Sequence, residues 1–284
     1  MGGLGELQRV EGCTESWEWV INELKRCPRD FATRGETLFL HKELYRNTMP
    51  KPIRAALGTS ATFCLINENN SQILFRVVDA EVVELLKTPP PLAADADGGD
   101  GDKGSGSSSG MTLIEELARL QALTLYQMMR MFGGGLEQRV AVDLQQGLLK
   151  TWALQLLRRS RAELSDGCLE TDDWHTWIVA ESIRRTVMVI YMFYGMYSIA
   201  MHGFCVEFPT LAKLPVSTSP GSWQSEAAHL IRRRGIEAEQ TLPYEEYTKS
   251  WTVSPPKTLH PFEKFLIIPC KGLEGIAAYG FSDP

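Results

Sequence analysis

Apolar residues recur every three to four positions along most of this chain, the spacing of one face of an α-helix. Over Ser16–Lys25, Trp17, Val20, Ile21 and Leu24 form such a face, and Pro28 is expected to stop the helix. Phe39–Leu44 is a short apolar stretch. Lys51, Pro52 and Ile53 open a second helix with proline in its first turn, continuing through Ala55–Ile66. Asn69–Lys87 predicts a third, with Ile73, Val77, Val82 (or Ala80), Leu85 and Leu86 turned inward. Thr112 and Glu115 have the spacing of a capping box, ahead of a stripe of Leu113, Leu117, Leu120 and Met128. Gly133, Gly134 and Gly135 end that helix. Leu136–Ser160 follows, with Leu144, Leu148, Trp152 and Leu156 at steps of four. After a polar turn at Asp166–Asp173, a long helix runs from about Asp172 to Met201. Beyond Gly203 the chain is broken by Pro209, Pro215, Pro220, Pro243, Pro255 and Pro256, and Phe262–Cys270 is a last short apolar element, helix or strand. No strand-like alternation recurs and no repeat appears. The predicted fold is all-α, a multi-helix bundle with an irregular C-terminal segment.

One segment fits none of this. Thr88–Gly110 strings three prolines into Ala, Asp, Gly and Ser, with almost nothing to bury. Such a composition does not offset its ordering entropy. It predicts a disordered Pro/Gly/Ser/Asp-rich insertion at 88–110, separating the 1–87 and 111–284 parts of one domain over 1–284. The whole chain of 284 residues has 29 basic and 35 acidic residues, net −6. Neutralising phosphates supplies most of the affinity of nucleic-acid binders. No direct nucleic-acid contact is therefore expected.

Six cysteines, Cys13, Cys27, Cys64, Cys168, Cys205 and Cys270, are scattered without a CxxC pair. The start, MGGLGELQRVEG, lacks the pattern of a secretory signal. Free thiols without export fit the nucleus or the cytoplasm. Thr186–Val206 carries no charged residue and is long enough to cross a bilayer. Tyr191, Tyr194 and Tyr197 would leave hydroxyls in hydrocarbon, so the run reads as a buried core helix and no membrane partner is expected. The five histidines show no metal-ligand spacing, so no metal and no cofactor is implied. Glu181 and Arg185 stand at i, i+4 in the favoured order. They read as an ion pair orienting the helix rather than as a catalytic set, and no catalytic residue is assigned. His175, Tyr191 and Tyr194 are the candidate residues of an aromatic ligand pocket.

Several stretches together resemble the fungal transcription-factor regulatory domain, the α-helical middle homology region that usually follows a DNA-binding zinc cluster. Leu120–Gln127 with Arg130 and Phe132 is similar to one of its helices. Trp174, Trp177, Ile178, Glu181, Ser182, Arg184, Arg185 and Thr186 are spaced as in its most distinctive run. Phe39, Leu40, His41, Leu44 and Tyr45 resemble the segment that often precedes these, and Leu214-Pro215, Trp223, Phe262–Leu266 and Cys270–Gly272 resemble later landmarks. The zinc cluster or zinc fingers of the family need closely spaced Cys and His pairs, which these cysteines cannot supply.

The resemblance thus implies a transcription regulatory protein without its own zinc-cluster DNA-binding domain. It would control a fungal secondary-metabolite gene cluster through a protein partner, either a DNA-binding transcription factor or a second copy of itself, or by sensing a small molecule. The alternative is an enzyme or substrate-binding protein of secondary metabolism on the same helical scaffold.

Overall fold

The computed structural model describes residues 14–87, 111–165, 173–218, 220–233, 241–253 and 259–280. The expected insertion at 88–110 and most of the expected turn at 166–173 lie outside them. Helices dominate: α1 (Thr14–Arg34), α2 (Lys51–Phe63), α3 (Ser71–Leu86), α4 (Leu113–Gly133), α5 (Leu136–Ser165), α6 (Trp174–His202), α7 (Phe208–Leu211), α8 (Glu226–Arg233), α9 (Tyr244–Val253) and α10 (Pro261–Ala277). A two-stranded antiparallel ladder joins β1 (Pro215–Ser217) to β2 (Thr241–Pro243), with Val216 opposite Leu242. A 3-10 turn covers Pro220–Trp223. The all-α expectation holds.

Two helices form the centre. In α4, Leu113 and every residue from Glu116 to Arg130 are buried, and α4 packs against α1, α2, α3, α5 and α6. Its start is the anticipated capping box: the Thr112 hydroxyl accepts the Glu115 N–H, and the Glu115 carboxylate accepts the Thr112 N–H at 2.9 Å. Its end is Gly134, where an added methyl group would press on the Arg130 carbonyl oxygen and the Gln138 side chain. The other central helix, α6, is buried nearly all round from Trp177 to Met196. It begins at Asp173, whose side chain accepts the N–H of His175 and Thr176, and it ends at Gly203 with φ 80°, a conformation suited to glycine.

Four expectations need correction. Pro28 does not end α1 but lies inside it. An interior proline costs about 3 kcal/mol. The helix continues because its buried stripe continues, through Val20, Leu24 and Cys27 to Phe31, and burying one such side chain returns about 1.5–3 kcal/mol. In α3 the inward face is Leu74, Phe75, Val78, Val82 and Leu85, while Ile73 and Val77 are exposed. The Ile73–Val77 stripe runs on into Glu81 and Glu84, whereas the observed one is apolar to its end. In α5 the core takes Val142, Leu149, Trp152, Ala153, Leu156 and Leu157, and leaves Leu144 and Leu148 outside. The segment after Gly203 is more regular than expected. Its prolines set element boundaries: Pro209 in the first turn of α7, Pro215 opening β1, Pro243 closing β2 and Pro261 in the first turn of α10.

A buried amide ties the core together. Gln121 of α4 donates to the Phe39 carbonyl oxygen at 3.0 Å and to the Thr186 hydroxyl of α6 at 3.2 Å, and accepts the Tyr45 hydroxyl at 2.8 Å. It fixes the 37–45 loop on both central helices. Each buried polar group left unsatisfied costs about 1–3 kcal/mol. Gln121→Met strands the Phe39 carbonyl oxygen and the Tyr45 hydroxyl, since Thr186 still donates to the Ser182 carbonyl oxygen, and Tyr45→Phe strands only the Gln121 oxygen, so Gln121→Met should be the more destabilising in urea unfolding. Equal losses would contradict this assignment.

Candidate functional site

The N-terminal half of α6 collects the residues that carried the resemblance. Residues three and four apart share a helix face, so Trp174, Trp177, Glu181 and Arg185 climb one side of it. The Trp174 indole donates to the Ser222 carbonyl oxygen at 2.9 Å, and Trp177 lies against His229 with ring centres 5.4 Å apart. Glu181 accepts from both arginines: Oε1 from Arg185 Nε and Oε2 from Arg184 Nε, each at 2.8 Å. The Glu181 and Arg185 side chains are only 3% and 4% exposed, so the pair is almost fully desolvated. The Ser182 hydroxyl is buried without a hydrogen-bond partner among the described residues.

Arg185 does more than answer Glu181. Its guanidinium lies over the Trp223 ring at 3.9 Å and over the Phe262 ring at 4.3 Å. A guanidinium is weakly hydrated and planar, so it stacks on aromatic faces where an ammonium would not. Burial lowers the Arg185 pKa from its ordinary value, and Glu181 opposes that drop. Arginine nevertheless stays charged in proteins. One side chain thereby holds the 3-10 turn and the start of α10 onto α6.

Three further groups complete the cluster. His41 Nδ1 accepts the Glu43 N–H at 3.2 Å, which leaves Nε2 to donate to the Trp223 carbonyl oxygen at 2.8 Å. The His41 ring meets Trp223 and Trp174 edge-on at 4.7 and 5.6 Å. Glu263 accepts the Tyr247 hydroxyl at 3.0 Å and the His260 N–H at 3.0 Å. Burial raises the Glu263 pKa above the usual carboxylate value. Beside this cluster opens a cleft of about 870 Å³, with Trp19, His41, Lys42, Arg185, Trp223 and Phe262 among its walls. The size suits a small organic ligand. Its walls carry both signs: Glu23 and Asp30 of α1 are answered by Arg26 and Arg34 on their own helix, while Glu36, Lys42 and Lys264 face in from the other elements beside the paired Arg185.

The structure separates the three residues expected to share an aromatic pocket. His175 is exposed in the first turn of α6. Tyr191 and Tyr194 are buried in the bundle interior, and at 1.5 Å per residue Tyr191 is about 24 Å along the helix from His175. Burial raises both phenol pKa values, that of Tyr191 to about 12. The Tyr194 hydroxyl has no hydrogen-bond partner among the described residues. Trp223, Phe262, Tyr247 and Glu263 join the site from segments 38 or more residues beyond Arg185. Helical periodicity on α6 has no access to them, although Trp223 and Phe262 were landmarks of the resemblance. No described residues form a group of three or more metal-type side chains, and no described helix is long and apolar enough to cross a membrane.

The chain is 28% identical over 223 residues to a protein described as "Transcription factor gsfR2" from Penicillium aethiopicum. The match covers 73% of this chain and 49% of that protein, so the chain spans about half the length of its relative. No family model matches the chain, and no solved structure matches it.

Two measurements probe the cluster. Removing one member of a buried ion pair strands the other and costs about 3–5 kcal/mol. Glu181→Ala should lose stability of that order in chemical unfolding, and a loss typical of an exposed pair would refute the desolvated geometry. His41 is held neutral, its pKa lowered from 6.5 chiefly by burial. A depressed histidine contributes stability above its unfolded pKa, about 6.5, and that contribution is lost as the pH falls through the folded value. Melting curves should therefore show thermal stability falling as pH drops below about 6.5. A His41→Gln variant should show a shallower fall; parallel curves would mean that His41 is not the group responsible.

Proposed function

We propose that the chain is a transcription regulatory domain of fungal type that acts in the nucleus through a protein partner, with the cleft beside Arg185 as its small-molecule sensing site. The similarity to a named transcription factor over most of the chain supports the regulatory reading. The sensing reading rests on one observation: Arg185, Trp223 and Phe262 line the cleft and also clamp the C-terminal elements to α6. A ligand touching them changes the free energy of that clamp. A ligand shifts a conformational equilibrium only by its differential affinity for the two states, and a clamp shared with the cleft wall supplies such a difference. The genes under control are those neighbouring its own in a secondary-metabolite cluster. DNA contact falls to a partner or to residues other than these, because the chain is net acidic and has no closely spaced Cys or His pairs.

The test is genetic. Deleting the gene should lower the transcripts of its neighbours together. Trp223→Ala, which opens the arginine sandwich, should lower them too while the protein persists on an immunoblot. Transcripts that hold while one metabolic intermediate accumulates would instead support the enzyme reading and overturn this one.

A further inference from the structure

The outer face of α5 carries an apolar ridge that the core does not use. Leu136 is 77% exposed, Val140 49%, Leu144 78% and Leu148 39%. These residues recur at steps of four, so they stand in one row for three turns of the helix. Isolated exposed leucines are ordinary, but a continuous row marks an interaction surface. Glu137 and Asp143 flank it, both exposed. Arg139, also exposed, stands one turn from Leu136 and from Asp143, so the flank carries two acids and one base and is net acidic.

The other half of the same helix carries the complement. A groove of about 300 Å³ runs beside it, walled by Leu154, Leu157 and Arg158 of α5 and by Pro209, Lys213 and Leu214 around α7. Its floor is apolar and its rim is basic. Between ridge and groove lies Gly147, on the outer face, where an added methyl group would meet nothing within 4 Å.

We infer that α5 is a self-complementary interface at which two copies of this chain pair antiparallel about a two-fold axis near Gly147. That axis sets Leu136 and Val140 of each copy into the groove of the other, while Leu144 and Leu148 of the two copies meet at the crossing. It brings Val140 to Leu154, and Glu137 to Arg158. A two-fold interface must match a surface with itself, and an acidic ridge and a basic groove placed either side of one point meet that demand. A parallel pairing would set Glu137 against Glu137 and leave the groove open. Glycine at the crossing point lets the helix axes approach to about 8–10 Å. The ridge needs a large apolar partner, and the charges select which end of α5 supplies it. The inference does not depend on the regulatory reading, because it concerns a different face of the bundle from the cleft.

Sedimentation of the full chain tests it. The wild type should run at twice the 31.8 kDa of one chain. Leu144→Glu should run as a monomer with unchanged helical circular dichroism. Glu137→Arg and Arg158→Glu should each weaken association by at least about tenfold. The double variant should recover it, because the swapped charges still meet across the axis. The inference is overturned by a wild type that stays monomeric up to millimolar concentration, which would reserve the ridge for another protein. It is equally overturned by a Leu144→Glu dimer or by a double variant that fails to recover.

Discussion

Glu181 and Arg185 form an ion pair that water hardly reaches, and the arrangement of the C-terminal third depends on it. Desolvating two charges costs several kcal/mol each, and their attraction repays this only with good geometry. Here the carboxylate is met on both oxygens by Nε atoms at 2.8 Å. The flat faces of the guanidinium are covered by Trp223 and Phe262. Replacing the pair by aliphatic side chains would preserve burial but lose the stacking geometry. The ion pair therefore specifies where the 3-10 turn and α10 dock, beyond whatever it adds to stability.

The bundle beneath that clamp is built on a different principle. α4 is buried on all sides yet carries Gln121, Gln127 and Arg130 among its leucines and methionines. Each has partners on neighbouring elements: Gln127 and Arg130 share Gln145 of α5, and Arg130 also reaches Asp79 of α3 at 2.6 Å. An apolar helix of this length could slide or rotate among its neighbours at little cost. Buried polar groups that meet their partners in only one register remove that freedom. Dispersion and the hydrophobic effect drive the bundle together, and a few amides and one guanidinium set its register.

The candidate surfaces sit at the edges of this packed interior. The cleft opens where α1, the loop containing His41, the 3-10 turn and α10 meet without filling the space between them. Among the described residues, the outer face of α5 exposes a row of four apolar side chains. α6 contacts both α5 and the C-terminal elements, so it joins the two edges. On the proposed reading the cleft is the input, the α5 face the output, and the bundle the rigid body between them.

The helices themselves were legible in the sequence, because caps, prolines, glycines and periodicity act within a few residues. Thr112 with Glu115, Gly134 and Gly203 marked their helix ends before any neighbour was known, and the spacing of Glu181 and Arg185 announced their pairing. The facing of a helix was not legible where both of its sides are apolar. Leu144 and Leu148 on α5 had helical spacing as good as the buried stripe, and only the positions of neighbouring helices chose between them, whereas on α3 the Ile73–Val77 stripe gives way to Glu81 and Glu84. Pro28 was misread for the same reason, since the burial of Phe31 that outweighs a broken hydrogen bond is a tertiary quantity. The aromatic lid over Arg185 comes from Trp223 and Phe262, far along the chain. Local periodicity carries no information about contacts at that separation, so the existence of the cleft was decided by the tertiary structure alone.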